Sequence, residues 1–261
     1  MKHFSAASRQ IKSDVTVCVL SCDRVDLLLR TMASFQAHND MDRFKFIICD
    51  DSPSEACHQT ILEKYQDLAT MVIWGQRRGP GWCWDMMFNL ADTPWLIQLE
   101  DDWESLAPFP LKECQDVMGH DRRVGSFHLW KTLAELEAEN ARCKIPALVP
   151  ETPWEITPGG TRYKRMGTQK PNDVIYKWHP YYEQPSLIRR YDWIRIGLRQ
   201  YAHSSWVYSN LYKTRGFYGA TLGTKYFEHI GWRRSVYDKF GYQNEPEKKI
   251  PSTAANATNL S

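Results

Sequence analysis

Glu100, Asp101 and Asp102 stand side by side directly after the apolar run Trp95-Leu-Ile-Gln-Leu99. Three adjacent carboxylates repel one another and are costly to fix in place unless a cation neutralises them. A hard ion such as Mg²⁺ or Mn²⁺ takes one or two carboxylates and completes its shell with water and phosphate oxygens, so an acidic cluster at a strand end suggests diphosphate chemistry. Arg77-Arg78-Gly79-Pro80-Gly81 precedes an expected helix. Glycines there let backbone N–H groups and a helix N-terminus approach phosphate, and arginine adds charge. Asp51 follows a second apolar run, Phe44–Cys49. A fixed carboxylate in a crevice suits a hydrogen bond from a base N–H, and beside Ser52-Pro53 it equally suits an Asx turn or helix cap.

The elements around these clusters alternate in period. Val15–Ser21, Phe44–Cys49, Thr70–Trp74 and Trp95–Leu99 read as strands. Helical spacing runs over Arg24–Phe35, Ser54–Tyr65 and Cys83–Leu90. Strands alternating with helices predict an α/β fold with a mostly parallel sheet flanked by helices, whose ligands bind outside the carboxyl ends of the strands. Ser21-Cys22-Asp23-Arg24, Asp50-Asp51-Ser52, Gly75–Gly79 and Glu100-Asp101-Asp102 all follow strands and so fall on that one edge. Beyond about residue 125 the pattern predicts a strand at Val124–Trp130, a helix at Leu133–Arg142, a Pro/Gly/aromatic stretch of loops and short strands over the active face at Pro146–Pro185, and helix within Ser186–Arg199 and Ser204–Gly216.

Composition sets the outer limits. With 261 residues, 43% hydrophobic and 25% charged, the chain has the make-up of a folded globular protein. Its net charge of +2 hides an asymmetry. Residues 1–154 hold 16 Lys/Arg against 23 Asp/Glu, and residues 155–261 hold 17 against 8. An acidic first half suits a cation site; a basic second half rich in Tyr and Trp suits an anionic, sugar or membrane-surface partner. Seven cysteines at irregular spacing neither pair as a zinc site nor form a disulfide framework. No apolar stretch reaches the length of a spanning helix and no leader is visible, so a cytoplasmic protein is expected. The polar ends, 1–13 and 246–261, are expected to be mobile.

Val15 to Arg24, Ile48-Cys-Asp-Asp-Ser52 and Leu99-Glu-Asp-Asp-Trp103 resemble the three signature segments of family 2 and related GT-A glycosyltransferases. The likeness covers residues 14–130. It implies a GT-A (Rossmann-like) fold in which 14–130 bind a nucleotide sugar, with a lean towards UDP, and 131–245 form an irregular acceptor-binding part of the same domain. It further implies that Leu20, Ser21 and Arg24 line the nucleoside and that Asp51 contacts the base. Asp101 would face the ribose or sugar, and Asp102 would bind Mn²⁺ or Mg²⁺ beside Glu100. Arg78 and Gly79 complete the diphosphate contacts. Phe227-Glu-His-Ile-Gly231 resembles a late histidine-containing segment that supplies a further metal ligand, here His229.

The implied reaction moves a sugar from a nucleotide diphosphate to a hydroxyl of a glycan or small-molecule acceptor. Inverting members place an Asp or Glu near the start of the acceptor-side helix, whereas the comparable stretch here reads His203-Ser204-Ser205-Trp206. His203, Glu183 and Asp192 are the candidates to take the acceptor proton instead; the alternatives are a reaction that retains configuration and needs no such base, or an inactive protein. Trp130, Trp154, Trp178, Trp193 and Trp206, with Tyr181 and Tyr182, suit either sugar faces or core anchoring. Two other classes use the same features. One is a metal-dependent nucleotidyl- or phosphoryltransferase on the same acidic edge. The other is a non-catalytic protein whose basic aromatic half binds RNA or single-stranded DNA, although no nucleic-acid motif accompanies it.

Overall fold

The computed structural model describes residues 4–5, 12–143, 153–166, 184–196 and 211–231. The chain divides into two compact units, Met1–Ile230 and Gly231–Ser261, and of the second only Gly231 lies among the described residues. The frame of the first unit is a six-stranded sheet. Its strands are β1 (Phe4–Ser5), β2 (Val15–Ser21), β3 (Lys45–Asp50), β4 (Met71–Trp74), β5 (Trp95–Glu100) and β10 (Ser186–Arg189), in the order β1-β4-β3-β2-β5-β10. The four central strands are parallel, and β1 and β10 are antiparallel edges. The chain steps from β2 to β3 to β4 on one side and then returns to β5 on the other side of β2. That reversal opens a crevice at the carboxyl ends of β2 and β5, between Ser21 and Glu100.

Every residue of β2 is buried, as a strand covered on both faces requires. Val15, Val17 and Val19 enter one core cluster, while Cys18 and Leu20 enter the other, which is the two-residue alternation of a strand. The first cluster is closed by α1 (Val25–His38), through Leu28, Met32 and Phe35, and by α4 (Leu111–His120), through Cys114, Val117 and Met118. Phe35, Phe44 and Phe46 meet edge to face there, with centroids 5.7 to 6.4 Å apart. The second is closed by α3 (Pro80–Leu90), through Cys83, Trp84, Met87 and Phe88, and by α6 (Arg190–Ile196), through Trp193 and Ile196. Each such fully buried side chain contributes about 1.5–3 kcal/mol. Helix α2 (Glu55–Tyr65) starts at Ser54, whose hydroxyl accepts from the amide of Cys57.

A second sheet adjoins the first. It comprises β7 (Val124–His128), β11 (Tyr218–Thr221), β9 (Arg162–Met166) and β8 (Glu155–Ile156), in the order β7-β11-β9-β8. A two-stranded ribbon pairs β6 (Trp103–Ser105) with β12 (Phe227–His229). Helix α5 (Leu133–Cys143) follows β7. The expected central strands and helices are present, and two segments differ. The helix expected within Ser186–Arg199 is present as α6, and it is preceded by strand β10, all four residues of which are buried against β5; a short apolar run does not distinguish buried strand from buried helix. Helix α4 and ribbon strand β6 fall in a stretch to which the periodicity assigned no element. Cys18, Cys22, Cys49, Cys57, Cys83 and Cys114 are free thiols, and no described helix is long and apolar enough to cross a membrane.

Candidate active site

Asp101 and Asp102 form the turn that leaves β5, and the two carboxylates face different environments. Asp101 is fully buried. Its Oδ2 accepts from the Ser21 hydroxyl at 3.0 Å, the Cys22 amide at 3.1 Å and Arg24 Nε at 3.3 Å, and its Oδ1 accepts from Arg24 Nη2. Through these bonds Asp101 ties the β2 loop to the β5 turn. Burial pushes its carboxyl up to about 7, against the opposing charge of Arg24.

Asp102 is 5% exposed. Its Oδ2 accepts from Arg24 Nη1 at 2.7 Å and lies 3.2 Å from His229 Nε2. Burial alone would raise this carboxyl, yet the hydrogen bond with His229 and the charge of Arg24 outweigh it and hold Asp102 below the usual carboxylate range. Its Oδ1 is buried and has no hydrogen-bond partner among the described residues. An ionised carboxylate oxygen kept from water without a donor is what a cation ligand looks like before the cation.

Strand pairing explains how His229 reaches Asp102 from so far along the chain. In the β6–β12 ribbon His229 lies opposite Trp103, the residue after Asp102, and the amide of Ile230 donates to the Asp102 carbonyl at 2.8 Å. The His229 ring rests 4.7 Å from the Trp103 ring, which continues to Trp130 at 5.5 Å and His128 at 5.2 Å. Trp103 Nε1 also donates to Glu100 at 3.3 Å. Thr31 of α1 supports the turn from below: its hydroxyl donates to the Asp101 carbonyl at 2.8 Å and accepts from the Trp103 amide at 3.2 Å. Neither Thr31 nor Trp103 had a site role in the sequence reading; a polar residue on the otherwise apolar face of α1 was the available signal for Thr31.

The second wall of the crevice is the loop between β4 and α3. Asp51 accepts from the amides of Arg78 at 2.8 Å and Gly79 at 2.9 Å, one with each carboxylate oxygen. The amides expected to cradle phosphate are engaged by Asp51, which is 5% exposed. Burial raises the Asp51 carboxyl, and these two amides oppose the shift. The Arg78 side chain remains exposed and lies over the Trp82 ring at 5.8 Å. Gly75 makes the clamp possible, because a Cβ there would fall 2.5 Å from Asp51 Oδ1. Among the described residues the non-glycine positions with positive φ are Asp23, Gln76 and Arg77, all in the two loops that border the crevice. Such strained backbone gathers where a site is held in a set shape.

The remaining candidates separate clearly. Leu20 is buried at the end of β2, opposite Cys49 and Glu100. Asp192 lies on α6, which leaves β10 where Arg189 pairs with Trp95, at the amino end of β5. Six residues of β5 put roughly 16 Å between that end and Glu100. Its carboxylate is taken by Arg189 Nε at 2.5 Å, so Asp192 is an anchor of the fold and not the expected proton acceptor. His203 and Glu183 lie outside the described residues, as do Trp178, Tyr181, Tyr182 and Trp206. Of the aromatic candidates Trp193 is a core residue, Trp130 joins the row beside His229, and Trp154 packs on Gly223 with Arg162 over its ring at 4.9 Å.

Among the described residues no group of three or more His, Cys, Asp or Glu side chains is arranged to hold a metal by itself. The donor set still fits a hard divalent ion: one carboxylate with a free oxygen and one imidazole, leaving further positions to water and substrate phosphate.

The sequence matches no protein-family model and no curated protein. Solved structures match it in fold. Residues 1–349 of S. aureus TarS align at 13% identity over 83% of this chain and 60% of that one, with a TM-score of 0.52. The mannosyltransferase PcManGT from Pyrobaculum calidifontis, solved with GDP-Man and Mn²⁺, aligns at 13% identity over 87% and 59%, with a TM-score of 0.55. GalNAc-T7, solved with UDP, GalNAc and Mn²⁺, aligns at 14% identity over 88% and 45%, with a TM-score of 0.55. This chain therefore has a GT-A-like glycosyltransferase fold, and it spans less than two thirds of the length of each of these proteins.

Proposed function

We propose that the protein is a metal-dependent glycosyltransferase that moves a sugar from a nucleotide diphosphate, UDP by preference, to a hydroxyl of a glycan or other acceptor, with inversion. The observation that carries this reading is the buried, unpartnered Oδ1 of Asp102 beside His229, at the switch point of a GT-A-like sheet. Asp102 and His229 would hold Mn²⁺ or Mg²⁺, whose charge there would compensate the departing nucleoside diphosphate. Arg24 and the exposed Arg78 add positive charge on either side of the crevice, and both would bind the same phosphates. Asp51 sets the shape of the Arg78 loop, and Asp101 and Thr31 set that of the metal turn. Charge stabilisation of this kind, built into the fold before the donor arrives, is commonly the largest contribution to such catalysis.

The test is calorimetric titration with a panel of nucleoside diphosphates and nucleotide sugars, with and without Mn²⁺, on wild type and Asp102→Asn. Binding that needs both the ion and Asp102 supports the reading and names the nucleotide. A panel in which nothing binds under either condition leaves a GT-A-like fold without its donor and sinks it.

A further inference from the structure

Arg24 already stands where positive charge is needed. Its guanidinium spans both carboxylates of the turn, with Nη1 2.7 Å from Asp102 Oδ2, Nε 3.3 Å from Asp101 Oδ2, and Nη2 on Asp101 Oδ1. The side chain is 15% exposed, so this contact is poorly screened by water. One guanidinium thus offsets part of the charge of Asp101 and Asp102, and a divalent ion arriving at Asp102 would meet a fixed like charge on the same carboxylate. Ion and guanidinium repel there unless something anionic joins them.

A nucleoside diphosphate is such a group, and guanidinium is well suited to grip it in bidentate fashion. The hydrogen bonds divide in a way that permits the exchange. Nε and Nη2 are held by Asp101, which is itself fixed by Ser21 and the Cys22 amide, so only Nη1 has to change partner. We propose that Arg24 is the resident counter-cation of the site: it occupies Asp102 in the protein alone and transfers one nitrogen to the donor diphosphate as the divalent ion binds, so that ion and diphosphate bind cooperatively. This rests on the nucleotide-sugar reading above. Asp101 is the pivot of the exchange, which accounts for a fully buried carboxylate beside the metal ligand. By linkage, the factor by which the nucleotide tightens the ion equals the factor by which the ion tightens the nucleotide.

The experiment measures Mn²⁺ binding by electron paramagnetic resonance to wild type, Arg24→Lys and Arg24→Met, with and without UDP and, in parallel, GDP. Wild type is expected to bind Mn²⁺ weakly alone and at least about tenfold more tightly with the nucleotide that fits. Arg24→Met is expected to bind Mn²⁺ alone about tenfold more tightly than wild type, with the nucleotide coupling reduced to about threefold or less. Arg24→Lys keeps the charge that the buried carboxylates need but cannot span both of them. It should fold, give intermediate values, and carry the test if the methionine variant does not fold. Mn²⁺ affinity that is unchanged or weaker in the folded variants overturns the proposal. So does wild-type nucleotide binding that is equally tight without Mn²⁺, because Arg24 would then serve permanently in place of the ion. If neither UDP nor GDP binds while the variants still tighten Mn²⁺, the nucleotide-sugar reading fails and Arg24 stands as the counter-cation.

Discussion

His229 Nε2 lies 3.2 Å from Asp102 Oδ2 across 127 residues of sequence, placed there by the pairing of two three-residue strands. The same atoms that hydrogen-bond to each other can share a cation, and the unpartnered Oδ1 of Asp102 marks the side from which charge is still missing.

The first prediction concerns that pair. Asp102→Asn preserves shape and removes charge, and should lower apparent Mn²⁺ affinity in the presence of nucleotide by on the order of 100-fold; His229→Ala should lower it by about 10–100-fold. Mn²⁺ titration on both variants measures this, and a His229→Ala variant with wild-type Mn²⁺ affinity would remove the imidazole from the ligand set.

How much of this arrangement was legible beforehand depended on whether the signal was local. The apolar runs before Ser21, Asp51 and Glu100 declare parallel strands buried on both faces, and their ends necessarily share an edge, so the crevice and its acidic turn could be located from spacing alone. What spacing does not carry is which atoms are engaged. Asp51 and the Arg78–Gly79 amides each looked like ligand contacts, and they satisfy one another. Asp192 is a candidate base in the sequence because it lies in a segment preceding the His203–Trp206 stretch; only the antiparallel register of β10 on β5 shows that it belongs to the opposite end of the sheet. Thr31 was hidden because a threonine on a helix face reads as part of the apolar stripe until its hydroxyl is seen between Asp101 and Trp103.

A second prediction follows from Gly75. A methyl group there would lie 2.5 Å from Asp51 Oδ1 and 3.2 Å from Cys83 Sγ, in a place where backbone and core are both fixed. Gly75→Ala should destabilise the fold by about 1–3 kcal/mol and loosen the clamp on the Arg78 loop. Chemical denaturation reads the first effect and nucleotide affinity at a temperature where the variant remains folded reads the second. Wild-type values in both would show that the loop does not depend on this close approach.

The third prediction is a pH dependence of stability centred on His128, at the far end of the aromatic row from His229. Burial, with a smaller effect from Lys131, lowers its pKa to about 3, far under the ordinary value of about 6.5. Between those values the unfolded chain binds a proton that the folded chain refuses, so stability falls as pH falls through this window, by up to about 1.4 kcal/mol per pH unit. Asp101, pushed up to about 7 by burial, contributes the opposite slope from about pH 4 to 7, so the informative quantity is the difference between wild type and His128→Phe. Urea denaturation from pH 7 to pH 5 should show the His128→Phe variant losing less stability than wild type. Equal losses would mean that His128 takes up its proton in the folded state.

The fourth prediction separates the anchor from the proton acceptor. Arg189 is buried with Asp192 and also donates to the carbonyls of Met118 at 3.1 Å, Arg122 at 2.6 Å and Val124 at 2.7 Å, joining β10 to α4 and β7. Removing one partner of a buried ion pair leaves the other uncompensated, at a cost of about 3–5 kcal/mol. Asp192→Ala should therefore lower the unfolding free energy by about that amount while leaving kcat of the folded fraction unchanged. With Asp192 held at the amino end of β5, the proposed inverting reaction would leave His203 or Glu183 as the expected residues to take the acceptor proton. One of His203→Ala and Glu183→Ala should reduce kcat by about 10²–10⁴-fold with little change in stability. The pH–rate profile then distinguishes them, since loss of a basic limb near 6.5 identifies an imidazole and loss of one near 4.3 a carboxylate. If neither substitution slows turnover and the product keeps the donor's anomeric configuration by NMR, the enzyme retains configuration and needs no such base.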